Sequence, residues 1–473
     1  MNQHKIFWRK PDQGKPPSRN TFNTDFSPAL PELTTNSRSF SLLRDTLLIT
    51  GIPTVEGART PKEDAIGLLM LAAEVEHALM VQYLYAAQSL RGAAARTVAH
   101  IAVQEMGHLI TLQNILLSLT GVSDDGIPTL IHLGRDNLRR HSDINPLTFS
   151  LEKITHTTLG KFVVIERPEE ISDPELRRRV SALEAEAVAA GDKLHPVFAL
   201  YAAIRWLFQP SDEVTGELDQ NVDLGFRPGW HLTEQDFVSA EIIDRFASTA
   251  TEWHSIPSLI VAKAHNNSEA LAAIDAITAQ GEGILGVSDS HFAKYVELLD
   301  SFESGGVRVK SLPRTPYVIE QTTPEDLFPT EITNNYTRLW AHLFNLQYEL
   351  LLVDIAWAIS QANDNPARTP MIDISVDGMN KVIQPLSNDM TERVLDNKNP
   401  MKAGPPYGLT NEFMPSSIAE FRIRFDSLLS RQATLFEQIH LAPEFSMDTV
   451  GNIRLSDIIQ QNDARTPYLP IPI

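Results

Sequence analysis

The sequence contains no cysteine. Disulfides and thiolate ligands are therefore excluded, and any metal ion must be held by nitrogen and oxygen. No apolar run reaches the roughly 18 residues that would suggest a membrane-spanning helix. The first 30 residues are polar and rich in Pro and Asn, with no apolar stretch of the kind a signal peptide carries. The expectation is a soluble cytoplasmic protein. Positive charge is scarce: 40 Lys and Arg stand against 60 Asp and Glu, a net charge of −20. That balance argues against nucleic acid or an anionic membrane as partner. GxGxxG, P-loop and GxSxG motifs are missing, and the Gly-rich QGEGILG (280–286) is too irregular to cradle a phosphate. Tandem repeats and low-complexity tracts are missing too.

What remains is a 473-residue globular composition, 42% hydrophobic and 21% charged. Residues 1–35 carry five prolines and no periodicity, and SFSLLRDTLLIT (39–50) suggests a short helix. Together, 1–59 read as an extended N-terminal arm. The first strong helix begins at TPKED. Thr60 suits the N-cap, Pro61 the first helical position, and Glu63 a capping box. This helix should run to about Ser89, with Gly92 as its stop. AARTVAHIAVQEMGHLITLQNILLSLT follows and stops at Gly121. Two helices of about 27–30 residues, each about 40 Å long at 1.5 Å per residue, should form an antiparallel hairpin.

Residues 122–267 read as one long elaborated crossover. KFVVIERPE (161–169) is strand-like, while SALEAEAVAA and HPVFALYAAIRWLF are helical. Helical pattern returns at 268–283 and 290–302, then at 334–360, 371–390 and 417–439. The fold class is thus mainly α: a helical bundle over 60–302, crossover included, followed by a helical region over 303–473.

The first helix places Leu68, Ala72, Val75, Leu79 and Tyr83 on one apolar face, and Glu76 shares it. Glu74 lies about 200° away and reads as a solvent residue; His77 reads as a boundary residue. In the second helix Glu105 and His108 lie at i and i+3 on a face shared with Ala102, Leu109 and Leu112. Residues equidistant from a hairpin's turn are level. The midpoint of 76 and 105 lies between 90 and 91, that of 76 and 108 at 92, and the turn is at Arg91–Gly92. Glu76 should therefore face the Glu105/His108 pair. A glutamate opposite Glu-x-x-His is half of a carboxylate-bridged dimetal site. Such donors suit iron, with manganese or zinc as alternatives.

The second half-site is expected near AAIDAITAQGEGILGVSDSHFAKYVELL. Glu282 and His291 are its candidate ligands and Asp289 a lesser one; Ser288 stands where Glu-x-x-His would put the glutamate, so a mononuclear or asymmetric site stays open. Glu252 and His254 do not share a helical face. Glu166 could line a pocket or pair with Arg167 or another cation. Tyr83 and Tyr85 read as core tyrosines.

AAEVEHALMVQYLYAAQSL, IAVQEMGHLITLQNILL, ITAQGEG, SHFAKY and AGPPYG (403–408) occur in this order. Over roughly residues 60–410 the chain resembles the ferritin-like domain of the iminophenyl-pyruvate dimer synthases, bacterial enzymes of violacein- and rebeccamycin-type bisindole pathways. The resemblance implies a ferritin-like bundle with bound iron, and oxidative chemistry on reactive imines derived from amino acids. Glu76, Glu105, His108, Glu282 and His291 match that family's acidic and histidine motifs. Haem is also associated with it, and nothing in this sequence decides for or against haem here. Those enzymes are much longer, so their substrate does not carry over. The reading is a metal-dependent, non-haem iron oxidoreductase of bacterial secondary metabolism. It would take an amino-acid-derived small molecule, with no nucleic-acid or membrane partner, and self-association into a homo-oligomer is left open. The alternatives are metal storage or detoxification, and a non-catalytic pathway scaffold.

Overall fold

The computed structural model describes residues 6–9, 52–134, 149–168, 171–190, 194, 197–209, 229–253, 256, 258–281, 289–318, 330–398, 401–410 and 414–470. It is a mainly α fold, a helical bundle with further helices packed on it. Strands are marginal. Ile6–Arg9 (β1), inside the expected arm, pairs antiparallel with Ile52–Val55 (β2), and two-residue strands pair in parallel at Pro316–Tyr317 (β3) and Thr330–Glu331 (β4). The helix expected at 39–50 lies outside the described residues.

Helix α1 (Pro61–Gln88) starts where its capping residues dictate. The Thr60 side chain accepts from the Glu63 amide at 3.2 Å. The Glu63 carboxylate reaches one residue further back than a capping box requires, accepting from the Arg59 amide at 2.6 Å. Gly92 does not end α1, as the sequence suggested. With φ of +68° it opens α2 (Gly92–Thr120), so that Ser89, Leu90 and Arg91 alone make the turn. Gly121, at φ +66°, ends α2 as expected, its amide donating to the Leu117 carbonyl at 2.8 Å.

The crossover departs from its expected strand. The first five residues of KFVVIERPE, KFVVI (161–165), form the end of helix α3 (His156–Ile165), capped by Thr155, which accepts from the Thr158 amide at 3.0 Å. Every residue from Thr158 to Ile165 is buried. A helix apolar all round shows no amphipathic period, so its β-branched run mimics a strand. Helix α4 (Pro174–Ala189) crosses it at Gly160, where a side chain would meet Leu183. Helices α5 (Val197–Phe208), α6 (Ala240–Phe246), α7 (Asn267–Gly281) and α8 (His291–Glu303) follow.

The long helix α9 (Asn335–Ser360) begins at Asn334, whose side chain accepts from the Thr337 amide at 2.8 Å. It is long and apolar enough to cross a membrane, but 94% of its most apolar stretch is buried inside the protein. It is a core helix against which α1 and the C-terminal elements pack. The stretch 371–390 is not one regular helix: α10 (Arg368–Asp377) passes through a π turn, Gly378–Ile383, into α11 (Gln384–Met390). Helices α12 (Ile418–Leu441) and α13 (Thr449–Arg465) complete the chain. Arg465 grips Asp354 of α9 through two parallel bonds of 2.8 and 2.7 Å.

Candidate metal centre

Helix α2 is held in place from behind. Gly107, between Glu105 and His108, brings the helix against the extended segment 259–262, where an added Cβ would lie 2.9 Å from the Ile260 nitrogen. The Thr111 hydroxyl donates to the Ile260 carbonyl at 2.9 Å, and Asn114 donates to the Ala262 carbonyl at 2.7 Å. Gly107→Ala should therefore destabilise the fold by about 1–3 kcal/mol through overpacking, outweighing alanine's helix-propensity gain of up to about 1 kcal/mol. A urea midpoint that rises would contradict this.

The opposite face carries the acidic cluster. Glu76, Glu105 and His108 are buried at 1–2% exposure, and Glu166 at 3% joins them with the fully buried His291. The Glu105 carboxylate is split between two neighbours. Its Oε2 lies 2.7 Å from His108 Nδ1, and its Oε1 lies 3.1 Å from His291 Nδ1. Glu76 Oε2 stands 3.4 Å from His108 Nδ1, and Glu166 Oε2 stands 3.7 Å from His291 Nδ1. Two ligand trios result, Glu76/Glu105/His108 and Glu105/Glu166/His291, the donor atoms of each lying within 4.8 Å of one another. Glu105 belongs to both.

Hydrogen bonds aim these groups. Gln280 Oε1 lies 3.1 Å from His108 Nε2 and can only accept, so Nε2 carries a proton and Nδ1 is the atom turned to the carboxylates. The Tyr201 hydroxyl of α5 donates to Glu76 Oε1 at 2.5 Å, and the Tyr83 hydroxyl donates to Glu166 Oε1. Burial and the neighbouring Glu166 carboxylate push the Tyr83 phenol well above its ordinary range, so it remains a donor. Phe162 and Tyr295 pack on the Tyr83 ring, at centroid distances of 4.8 and 5.2 Å.

The electrostatics are those of a site short of positive charge. Burial, and then the Glu105 carboxylate, raise Glu76 to about 7. Burial opposes ionisation of Glu105 too, but His291 and His108 outweigh it and hold that carboxyl far below its usual range. Burial lowers His291, yet Glu105 and Glu166 carry it up to about 9. His291 Nε2 has no hydrogen-bond partner among the described residues, and Nδ1 faces its two carboxylates without the alignment of a hydrogen bond. Three carboxylates and two imidazoles with an unsatisfied buried nitrogen fit a divalent cation, which would neutralise what protons otherwise must. A cavity of about 10 Å³ lies among Glu76, Glu105, His108, Glu166, Tyr201 and Gly281. That is room for about one water or ion.

Of the residues singled out in the sequence, the structure brings Glu76, Glu105, His108 and His291 together. Glu282 and His254 lie outside the described residues, although Gly281 sits against Glu166 and His291. Asp289 is 84% exposed and pairs with Lys294 at 3.1 Å, so it is no ligand. Glu252 binds Arg368 at 2.8 Å. Arg167 pairs with Glu184 at 2.7 Å and leaves Glu166 to the cluster. Two further expectations are corrected. Glu74 is not a solvent residue but is 3% exposed and bonded to His132. His77 is not at a boundary but is fully buried between the Leu133 carbonyl (2.8 Å) and the Tyr348 hydroxyl (2.5 Å). Both lie where α1 is covered on the side assumed to face water. Gln280 and Tyr201 went unrecognised, since an uncharged amide or a phenol on an apolar face gives no signal by itself.

Residues 69–300 match a family model described as ferritin-like, and all five cluster residues fall inside that span. No curated protein and no solved structure matches the chain.

Replacing Gln280 by leucine should lower metal affinity by about 10–100-fold while the fold persists, because the His108 ring loses the partner that orients it. Competition against a chromophoric chelator measures this. Unchanged affinity would remove Gln280 from the site.

Proposed function

We propose that the chain is a non-haem iron oxidoreductase whose two trios would each hold an ion, Glu105 contributing to both. Its substrate is an amino-acid-derived small molecule of bacterial secondary metabolism. The observation that carries this reading is the division of one buried carboxylate between two histidines, each backed by its own second glutamate. Oxygen-rich donors with one imidazole each suit iron or manganese. Such ions, when bound, supply Lewis acidity and electrons for oxygen chemistry.

The chain's own residues prepare the place. Tyr201 and Tyr83 fix the outer carboxylates, Gln280 fixes the His108 ring, and the apolar neighbours Leu79, Val197 and Ile277 keep bulk water out. Val197 and Tyr201 come from the crossover and Ile277, Thr278 and Gly281 from α7, so this seam is the side from which a reactant approaches. Gly281 leaves that side uncrowded, its nearest neighbours being Glu166 Oε2 and His291 Nδ1. The insertion thus forms the site's outer wall, which a storage bundle would not require.

The test is oxygen uptake by protein loaded anaerobically with ferrous iron, supplied with α-imino acids generated from amino acids. Substrate-dependent uptake at least tenfold above iron in buffer is expected. Uptake that does not respond to any imino acid would leave a metal-binding protein but overturn the oxidoreductase reading.

A further inference from the structure

A second cavity, of about 230 Å³, shares no lining residue with the acidic cluster. It lies between another face of the α1–α2 hairpin, helix α9 and the π turn. Protein cores are close-packed, with few voids larger than a water molecule. This space exceeds the roughly 150 Å³ of an apolar cavity that stays dry and admits benzene.

Its chemistry is one-sided. None of the described residues around it is charged. Four of the chain's ten methionines line it: Met80, Met106, Met379 and Met414. Methionine is flexible and polarisable, and it recurs where a surface must adapt to an apolar guest. The polar groups are few, and the buried Gln113 is occupied by the Thr129 carbonyl and the Ile131 amide. Asn380 of the π turn and Gln384 just after it are exposed side chains at the rim. Further in, the buried Ser387 hydroxyl makes no regular hydrogen bond, and its polar neighbour is the Tyr407 hydroxyl. π turns are energetically poor and appear frequently at functional sites. This one supplies both wall, through Met379 and Ile383, and rim, through Asn380.

We propose that this cavity binds a neutral, largely apolar small molecule of about the size of a two-ring aromatic, entering past Asn380 and Gln384 and turning any hydrogen-bonding group toward that rim or toward Ser387. Carboxylates and phosphates are disfavoured, because no charged side chain among the described residues there would offset the desolvation of a charge. Binding does not require the metal cluster, since the two sites share no residue.

Calorimetric titration of the full chain tests this with naphthalene and 2-naphthoate as probes. Saturable one-to-one binding of naphthalene is expected, with 2-naphthoate at least tenfold weaker. Ala356→Phe, which places a ring inside the cavity, should weaken naphthalene at least tenfold and leave metal content unchanged. Glu105→Ala should keep naphthalene binding. Absence of saturable binding, equal affinity for the carboxylate, or full binding by a folded Ala356→Phe variant would overturn the proposal. Loss of binding in Glu105→Ala would also overturn it, by placing the probe at the metal cluster. If Ala356→Phe does not fold, the comparison of the two probes on the unaltered chain still decides.

Discussion

Glu105→Ala should empty both metal positions at once. Glu105 is the residue common to the two trios, and its two oxygens face different histidines. Loss of an outer-shell partner typically lowers metal affinity by 10–100-fold. Loss of a bridging ligand should exceed about a hundredfold for each ion. The outer glutamates should behave differently. Glu76→Ala removes a ligand from the first trio only, and Glu166→Ala from the second only, so each should leave about one ion per chain. The fold should survive, because deleting Glu105 relieves the repulsion that adds to burial in raising Glu76 and leaves no new unpaired carboxylate. Elemental analysis after gel filtration, with circular dichroism as the control for folding, reads the result. A folded Glu105→Ala protein retaining two ions would refute the bridging role. Equal losses from Glu76→Ala and Glu166→Ala, down to no metal in both, would instead favour a single shared ion.

Arg368→Met should produce the largest loss of stability in the C-terminal region, about 3–5 kcal/mol, the range for removing one partner of a buried ion pair. The Arg368 side chain is fully buried. Its guanidinium donates to Glu252 at 2.8 and 3.3 Å, to the Gln361 carbonyl at 2.5 Å and to the Ser248 hydroxyl at 3.0 Å. Ser248 is joined through its backbone to Asn114 of α2, at 2.8 and 3.0 Å. This one side chain therefore ties α10 to the crossover and the crossover to the hairpin that carries Glu76, Glu105 and His108. Methionine fills similar volume but leaves Glu252 without its cationic partner and the Gln361 and Ile359 carbonyls without this donor. Adding Glu252→Gln should recover part of the loss, since no uncompensated charge then remains. A urea-unfolding change below about 1 kcal/mol for the single variant would show that Arg368 is not a structural tie.

The first half of the centre was legible because regular geometry governs it. Two uninterrupted helices with a three-residue turn let sequence distance stand for height, so Glu76 could be placed opposite Glu105 and His108 from spacing alone. Of the second half, His291 was legible but Glu166 was not, for two reasons. Glu166 follows a helix buried on all sides, whose Phe, Val and Ile run lacks a helical period and reads as a strand. Its approach to His291 also depends on how α3 and α8 pack, which no local pattern encodes. Glu74 and His77 failed differently. The sequence pattern of α1 suggests a solvent face, whereas the residues around His132 and Leu133 and helix α9 cover that face, and the two polar groups are satisfied there by His132, Leu133 and Tyr348. The π turn had no sequence signal apart from Gly378, which sits where Gln461 and Leu351 approach.

The most direct measurement is anomalous diffraction at the iron edge from a crystal of the iron-loaded chain. Two peaks are expected about 3.5–4 Å apart, one beside Glu76 and His108 and one beside Glu166 and His291, with the Glu105 oxygens about 2.0–2.2 Å from them. A map without a peak between these side chains, or with iron bound elsewhere while Glu105, His108 and His291 pair only with one another, would contradict the account.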